Sequence, residues 1–119
     1  MTSENKSEQE KCHKVLELPE IRFVGFLDYM GNLTTGDFKK GIIPLKNESE
    51  RKKMFMEAVL RIRTRQEFDD NLGPVEYAAA RRKNVVTMTI PFEKKIVFIA
   101  AESNADIDKT ARKIIDLLK

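Results

Sequence analysis

The sequence predicts a small domain of the α/β class, α+β in type, built from an antiparallel sheet packed with helices. Three observations carry this. Five β-branched, aromatic or otherwise apolar segments are joined in two groups by short turns, which suits hairpins and a meander and not parallel crossovers. Two segments, 47–62 and 103–118, combine a capping signal with an apolar stripe at helical spacing. The run Ile96–Ala101 (IVFIAA) has no polar position, so it belongs at a sheet centre covered on both faces.

Residues 1–7 are polar and charged, and they predict a disordered tail ahead of one domain spanning 8–119. A first short helix is expected from about Ser7 to Leu18, stopped by Pro19. Ile21–Met30 (IRFVGFLDYM) then reads as a strand, and Gly31-Asn32 as the two-residue turn of a hairpin. Asp28 belongs to the same turn, since its carboxylate can accept bonds from the amides that follow. Leu33 to about Phe38 returns as a polar strand, with Thr34, Thr35, Gly36 and Asp37 placing it at an edge.

Asn47 and Glu50 form a capping box that opens a long helix, and Gly73-Pro74 ends it. Met54, Phe55, Ala58, Val59 and Ile62 make its buried stripe. Met56 and Leu60 are surplus apolar surface on the same helix and a candidate interface. Three strands follow, Val75–Arg82, Val85–Pro91 and Ile96–Ala101, with turns at Lys83-Asn84 and Glu93-Lys94-Lys95. In the middle strand Val86, Met88 and Ile90 define the more apolar face. Ser103 and Asp106 read as a second capping box, in front of a helix whose stripe is Ile107, Ala111, Ile114, Ile115 and Leu118.

The order of these elements, spanning the chain from about residue 8, resembles the roadblock and dynein light chain superfamily, of the profilin-like α/β sandwich type. The local likeness lies in Phe26-Leu27-Asp28-Tyr29-Met30-Gly31-Asn32-Leu33, where an Asp precedes a Gly turn by three residues. It extends to Gly73-Pro74-Val75-Glu76-Tyr77 and to the closing strand and Ser-capped helix. The resemblance implies a five-stranded antiparallel sheet in the order 2-1-5-4-3 with helices on both faces (α-β-β-α-β-β-β-α). It also implies homodimers that contact small GTPases or scaffold proteins. Strand hydrophobicity independently ranks the first and last strands as central and the second and third as edges.

Composition narrows the function further. The chain has 119 residues, 22 Lys and Arg against 19 Asp and Glu, 7 Phe, 2 Tyr and no Trp. That interspersed charge chiefly confers solubility, and nucleic-acid binding is a minor expectation. Its basic groups would be Lys52, Lys53, Arg61, Arg63, Arg65 and Arg81-Arg82-Lys83. The single cysteine, the polar start and the absence of a long apolar run lead to the expectation of a cytoplasmic protein without a membrane segment. Cys12-His13 is not expected to be a nucleophile pair, because consecutive helical residues point about 100° apart. Asp69-Asp70 lacks the other oxygen ligands of a calcium loop and reads as a solvated loop.

No phosphate loop, Ser/His/Asp set, CxxC pair or HExxH motif occurs, so no enzymatic activity, catalytic residue, metal or cofactor is expected. The reading favoured is a regulatory protein-binding module. Its expected dimer interface comprises Met56, Leu60, Val75, Glu76, Tyr77, Ala79 and Arg81, with two edge strands pairing about a two-fold axis and Glu76 facing Arg81 or Arg82 of the other copy. Two alternatives stand beside it: a PAS or profilin-like sensor with a ligand pocket lined by Phe23, Phe26 and Phe98, and a weak nucleic-acid binder.

Overall fold

In the computed structural model the backbone is described for residues 3–119 and the side chains from residue 6 onward. Nine elements follow one another: α1 (Ser3–Leu16), β1 (Ile21–Leu27), β2 (Leu33–Phe38), α2 (Glu48–Gln66), α3 (Asp69–Leu72), β3 (Ala78–Arg81), β4 (Val86–Phe92), β5 (Lys95–Ala101) and α4 (Ile107–Leu118). All strand pairs are antiparallel, and the sheet runs β2-β1-β5-β4-β3. This is the order expected.

Alternation along the strands builds two cores. Val97, Ile99 and Ala101 of β5 point to one face, where Val86, Met88 and Ile90 of β4 meet Cys12 and Val15 of α1 and Ala111, Ile114 and Leu118 of α4. Ile96 and Phe98 point to the other face, toward Phe23 and Leu27 of β1 and Phe55, Ala58, Val59 and Ile62 of α2. The central strand therefore needs apolar side chains on both sides, which explains its lack of polar positions. Ile21 joins the first core although Phe23 joins the second, because the pairing of β1 with β5 shifts register between them. Each such fully buried Ile or Leu contributes roughly 1.5–3 kcal/mol.

The long helix starts as expected. Asn47 accepts the Glu50 amide at 2.8 Å, and the Glu50 carboxylate takes the Asn47 amide at 3.4 Å. Its end differs. The helix stops at Gln66, and Gly73, at φ +85°, instead ends the separate turn α3, which holds Asp69 and Asp70. Those two carboxylates thus lie in a helical turn and not in an open loop.

Four further boundaries depart from expectation. Helix α1 begins at Ser3 and ends at Leu16, so the expected unstructured stretch is helical at residues 3–7, while Met1 and Thr2 lie outside the described residues. Glu8 anchors this helix to the sheet: it is buried, and its carboxylate holds Lys95 of β5 at 2.5 Å and Thr35 of β2 at 2.8 Å. The first hairpin is not a two-residue turn. Its loop is Asp28–Asn32, closed by the Asp28 amide on the Asn32 carbonyl, and only Gly31 has positive φ. At the last helix the cap is Asp106, accepting from the Lys109 amide, and not Ser103. A turn from Glu102 to Ala105 precedes it, and the Ser103 carbonyl accepts from Arg81 instead.

The last departure concerns β3, which has four residues where eight were expected. Val75–Tyr77 leave the ladder because their side chains are held elsewhere. The Tyr77 hydroxyl donates to Asp108 at 2.5 Å, and Arg112 grips Glu76 with two hydrogen bonds of 2.9 and 3.3 Å, so both are bound to α4, while Val75 packs on the core beneath α2.

Candidate interaction surface

Edge strand β3 reads Ala-Ala-Ala-Arg, and its inner side pairs with β4 from Ala78↔Thr89 to Arg81↔Val86. Its outer side faces no strand among the described residues. Small side chains leave that outer backbone accessible, and no proline or bulge blocks it. Helix α2 crosses the sheet beside this edge, and a shallow groove of about 100 Å³ lies between the two. Met54, Glu57, Arg61 and Arg65 line it from α2, with Ala78–Ala80 and Arg82 opposite. Glu57 and Arg61, four residues apart, form an ion pair on its rim.

The opposite flank of α2 is a different surface. Met56 lies against the β1–β2 loop: a Cβ placed on Gly31 would sit 2.8 Å from its Cα. Leu60 follows one helical turn later, and Arg63 stacks over the Tyr29 ring of the same loop at 5.1 Å. Met56 and Leu60 are 52% and 60% exposed, and Tyr29 and Met30 are 41% and 71% exposed.

The structure therefore does not gather the expected interface residues into one patch. Ala79 and Arg81 lie on β3, Met56 and Leu60 on the far flank of α2, Glu76 and Tyr77 against α4, and Val75 on the core beneath α2. Two members of the pairing expected between Glu76 and an Arg81 or Arg82 of a second copy have partners within their own chain. Glu76 is engaged by Arg112, and the Arg81 guanidinium donates to the Ser103 carbonyl and, at 2.6 Å, to that of Ala105. Sequence reading missed Arg112, Asp108 and the carbonyls around Ser103, which have no motif and meet these groups only through the fold.

The turn residues behave as chemistry requires. The Asp28 carboxylate accepts the amides of Asn32 and Met30 at 3.0 and 2.9 Å, and the Asn32 amide above all holds its pKa below the usual carboxylate value. Cys12 is buried in the core below α1. Burial, then the charges of Glu8 and Asp37, push its thiol up to about 12, so it is a neutral, unreactive group at neutral pH.

Phe23 and Phe98 pack with Phe55 on one face, whereas Phe26 meets Phe92 on the other. The odd spacing of 23 and 26 in a strand makes this unavoidable, and the three rings cannot line one ligand pocket. The basic groups do not form one stripe either: Arg61 and Arg65 face the groove, Arg63 the opposite flank, and Arg81 the interior of the chain's own loops. Among the described residues no group of three His, Cys, Asp or Glu could hold a metal ion, and no helix is long and apolar enough to cross a membrane.

A family model described as "Family of unknown function (DUF6659)" matches residues 1–119. The chain belongs to this family. Curated protein sequences provide no match for this DUF6659 chain. Solved structures do resemble it. The Roadblock/LC7 domain of Streptomyces avermitilis superposes with a TM-score of 0.70 at 10% identity, over 92% of this chain and 90% of that one. The gliding protein MglB of Thermus thermophilus gives 0.76 at 9% identity, over 99% and 90%. Profilin IA of Acanthamoeba castellanii gives 0.57 at 12% identity, over 92% and 91%. The DUF6659 chain thus has the roadblock fold, in the wider profilin-like class that the element order suggested.

Proposed function

We propose that this chain is a regulatory interaction module that acts by binding and not by catalysis, and that it works as a homodimer. The observation that carries the reading is the unpaired β3 edge beside the α2 groove. Two copies related by a two-fold axis pair their β3 strands antiparallel, with the alanines near the axis, and extend the sheet across both subunits. The groove flanks of the two α2 helices then approach each other, and the Glu57–Arg61 pair is self-complementary across such an axis. The partner class follows from the roadblock likeness, namely a small GTPase or a scaffold protein that reads the composite surface. The fold's occurrence in a gliding protein is in keeping with that role.

Size-exclusion chromatography with light scattering tests the dimer. Wild type runs at twice the chain mass, and Ala79→Pro, which deletes an amide at an edge that tolerates proline, gives a folded monomer. A wild-type monomer at high concentration sinks the proposal.

A further inference from the structure

We propose that the flank of α2 turned away from β3 is a second docking surface, and that its occupant is an acidic segment of another protein that carries apolar anchors. The surface is independent of the β3 edge and stands whether or not the chain dimerises there.

Met56 is the centre of the surface. Gly31 seats the β1–β2 loop, which carries Tyr29 and Met30, on the backbone of that turn. Leu60 extends the apolar stripe by one turn, and all four side chains are at least 41% exposed. Such a contiguous stripe on a chain of 34% charged residues is out of keeping with a merely solvated face.

Charge selects the occupant. Lys52, one turn before Met56, and Arg63, two turns after it, border the stripe, and neither makes an ion pair among the described residues. Arg63 instead lies over Tyr29, a position that keeps its guanidinium available to a carboxylate while fixing the ring below. Glu48, one turn before Lys52, and Glu67, one turn after Arg63, lie on the same spacing but outside the two cations, and the Asp28 carboxylate is occupied by its own loop's amides. The surface is therefore apolar at the centre, with a cation bordering the stripe on either side. A segment with apolar side chains between carboxylates is its complement.

The test is selection of a displayed library of short random peptides against the purified full chain, followed by fluorescence anisotropy with the recovered sequences. The expected outcome is enrichment of peptides combining Asp or Glu with apolar residues, whose binding weakens about tenfold on Arg63→Glu and on Met56→Ser, and falls with salt. Ala79→Pro leaves that binding unchanged, so failure of the dimer and failure of this surface are read separately. Thermal melts of the two exposed-site variants, expected at the wild-type midpoint, exclude unfolding, and Lys52→Glu provides the third variant. Recovery of peptides without acidic residues, binding indifferent to both Arg63→Glu and Met56→Ser, or equal retention of duplex DNA would overturn the assignment.

Discussion

Gly31 and Met56 meet backbone to backbone: a Cβ added at Gly31 would lie 2.8 Å from the Met56 Cα and 3.0 Å from its amide nitrogen. The same glycine has φ +82°, where an L side chain is strained. Two penalties therefore coincide at one position, a conformational one and a steric one against a helix that cannot yield. Gly41, at φ +86° with nothing within 4 Å of an added Cβ, bears only the first.

This pair makes a controlled prediction. Gly41→Ala is expected to cost about 1 kcal/mol, and Gly31→Ala at least about 2–3 kcal/mol, read from urea denaturation midpoints. Equal costs for the two would show that the loop does not press on α2.

Asp28 predicts a pH dependence. Its folded-state pKa is lowered, first by the Asn32 amide, so its stabilisation is present above the unfolded value of about 4 and is lost as pH falls through the folded value. Asp28→Ala is expected to destabilise by about 1 kcal/mol at pH 7, the loop being partly exposed, and the difference from wild type should shrink toward pH 2. A difference that persists unchanged in acid would refute the hydrogen-bonded carboxylate.

Glu8 tests how α1 is attached. The carboxylate is buried and links α1 to Lys95 and Thr35, 87 and 27 residues away. Its replacement by Ala takes the carboxylate from the Lys95 ammonium, which is 19% exposed and keeps its bond to Thr34, and is expected to cost about 1–3 kcal/mol. Hydrogen exchange should speed up in the amides of α1 before those of β5. Uniform acceleration across the sheet would show that the pair supports the whole fold and not the docking of one helix.

Cys12 should resist alkylation. With the thiol at about 12, its reaction with iodoacetamide near pH 8 is expected to be on the order of a thousandfold slower than that of a free cysteine, and to be restored by denaturant. Rapid labelling of the native chain would mean that α1 opens readily from the core.

Local signals in the chain were sufficient for the order of the five strands and three longer helices, for the ranking of strands from centre to edge, and for the Asn47–Glu50 cap. Each of these rests on residues a few positions apart: IVFIAA needs apolar cover on both sides wherever it sits, and a capping box closes within four residues. The candidate surface was legible only as a set of residues. That Met56 and Leu60 face away from β3 depended on which flank of α2 the β1–β2 loop would rest, and no spacing within the helix encodes that. The shortening of β3 and the pairing of Glu76 depended on Arg112, 36 residues downstream, and the anchoring of α1 through Glu8 depended on Lys95. Periodicity states which residues share a face. Which neighbour that face meets is settled by contacts between distant segments, and these exist only once the sheet has closed.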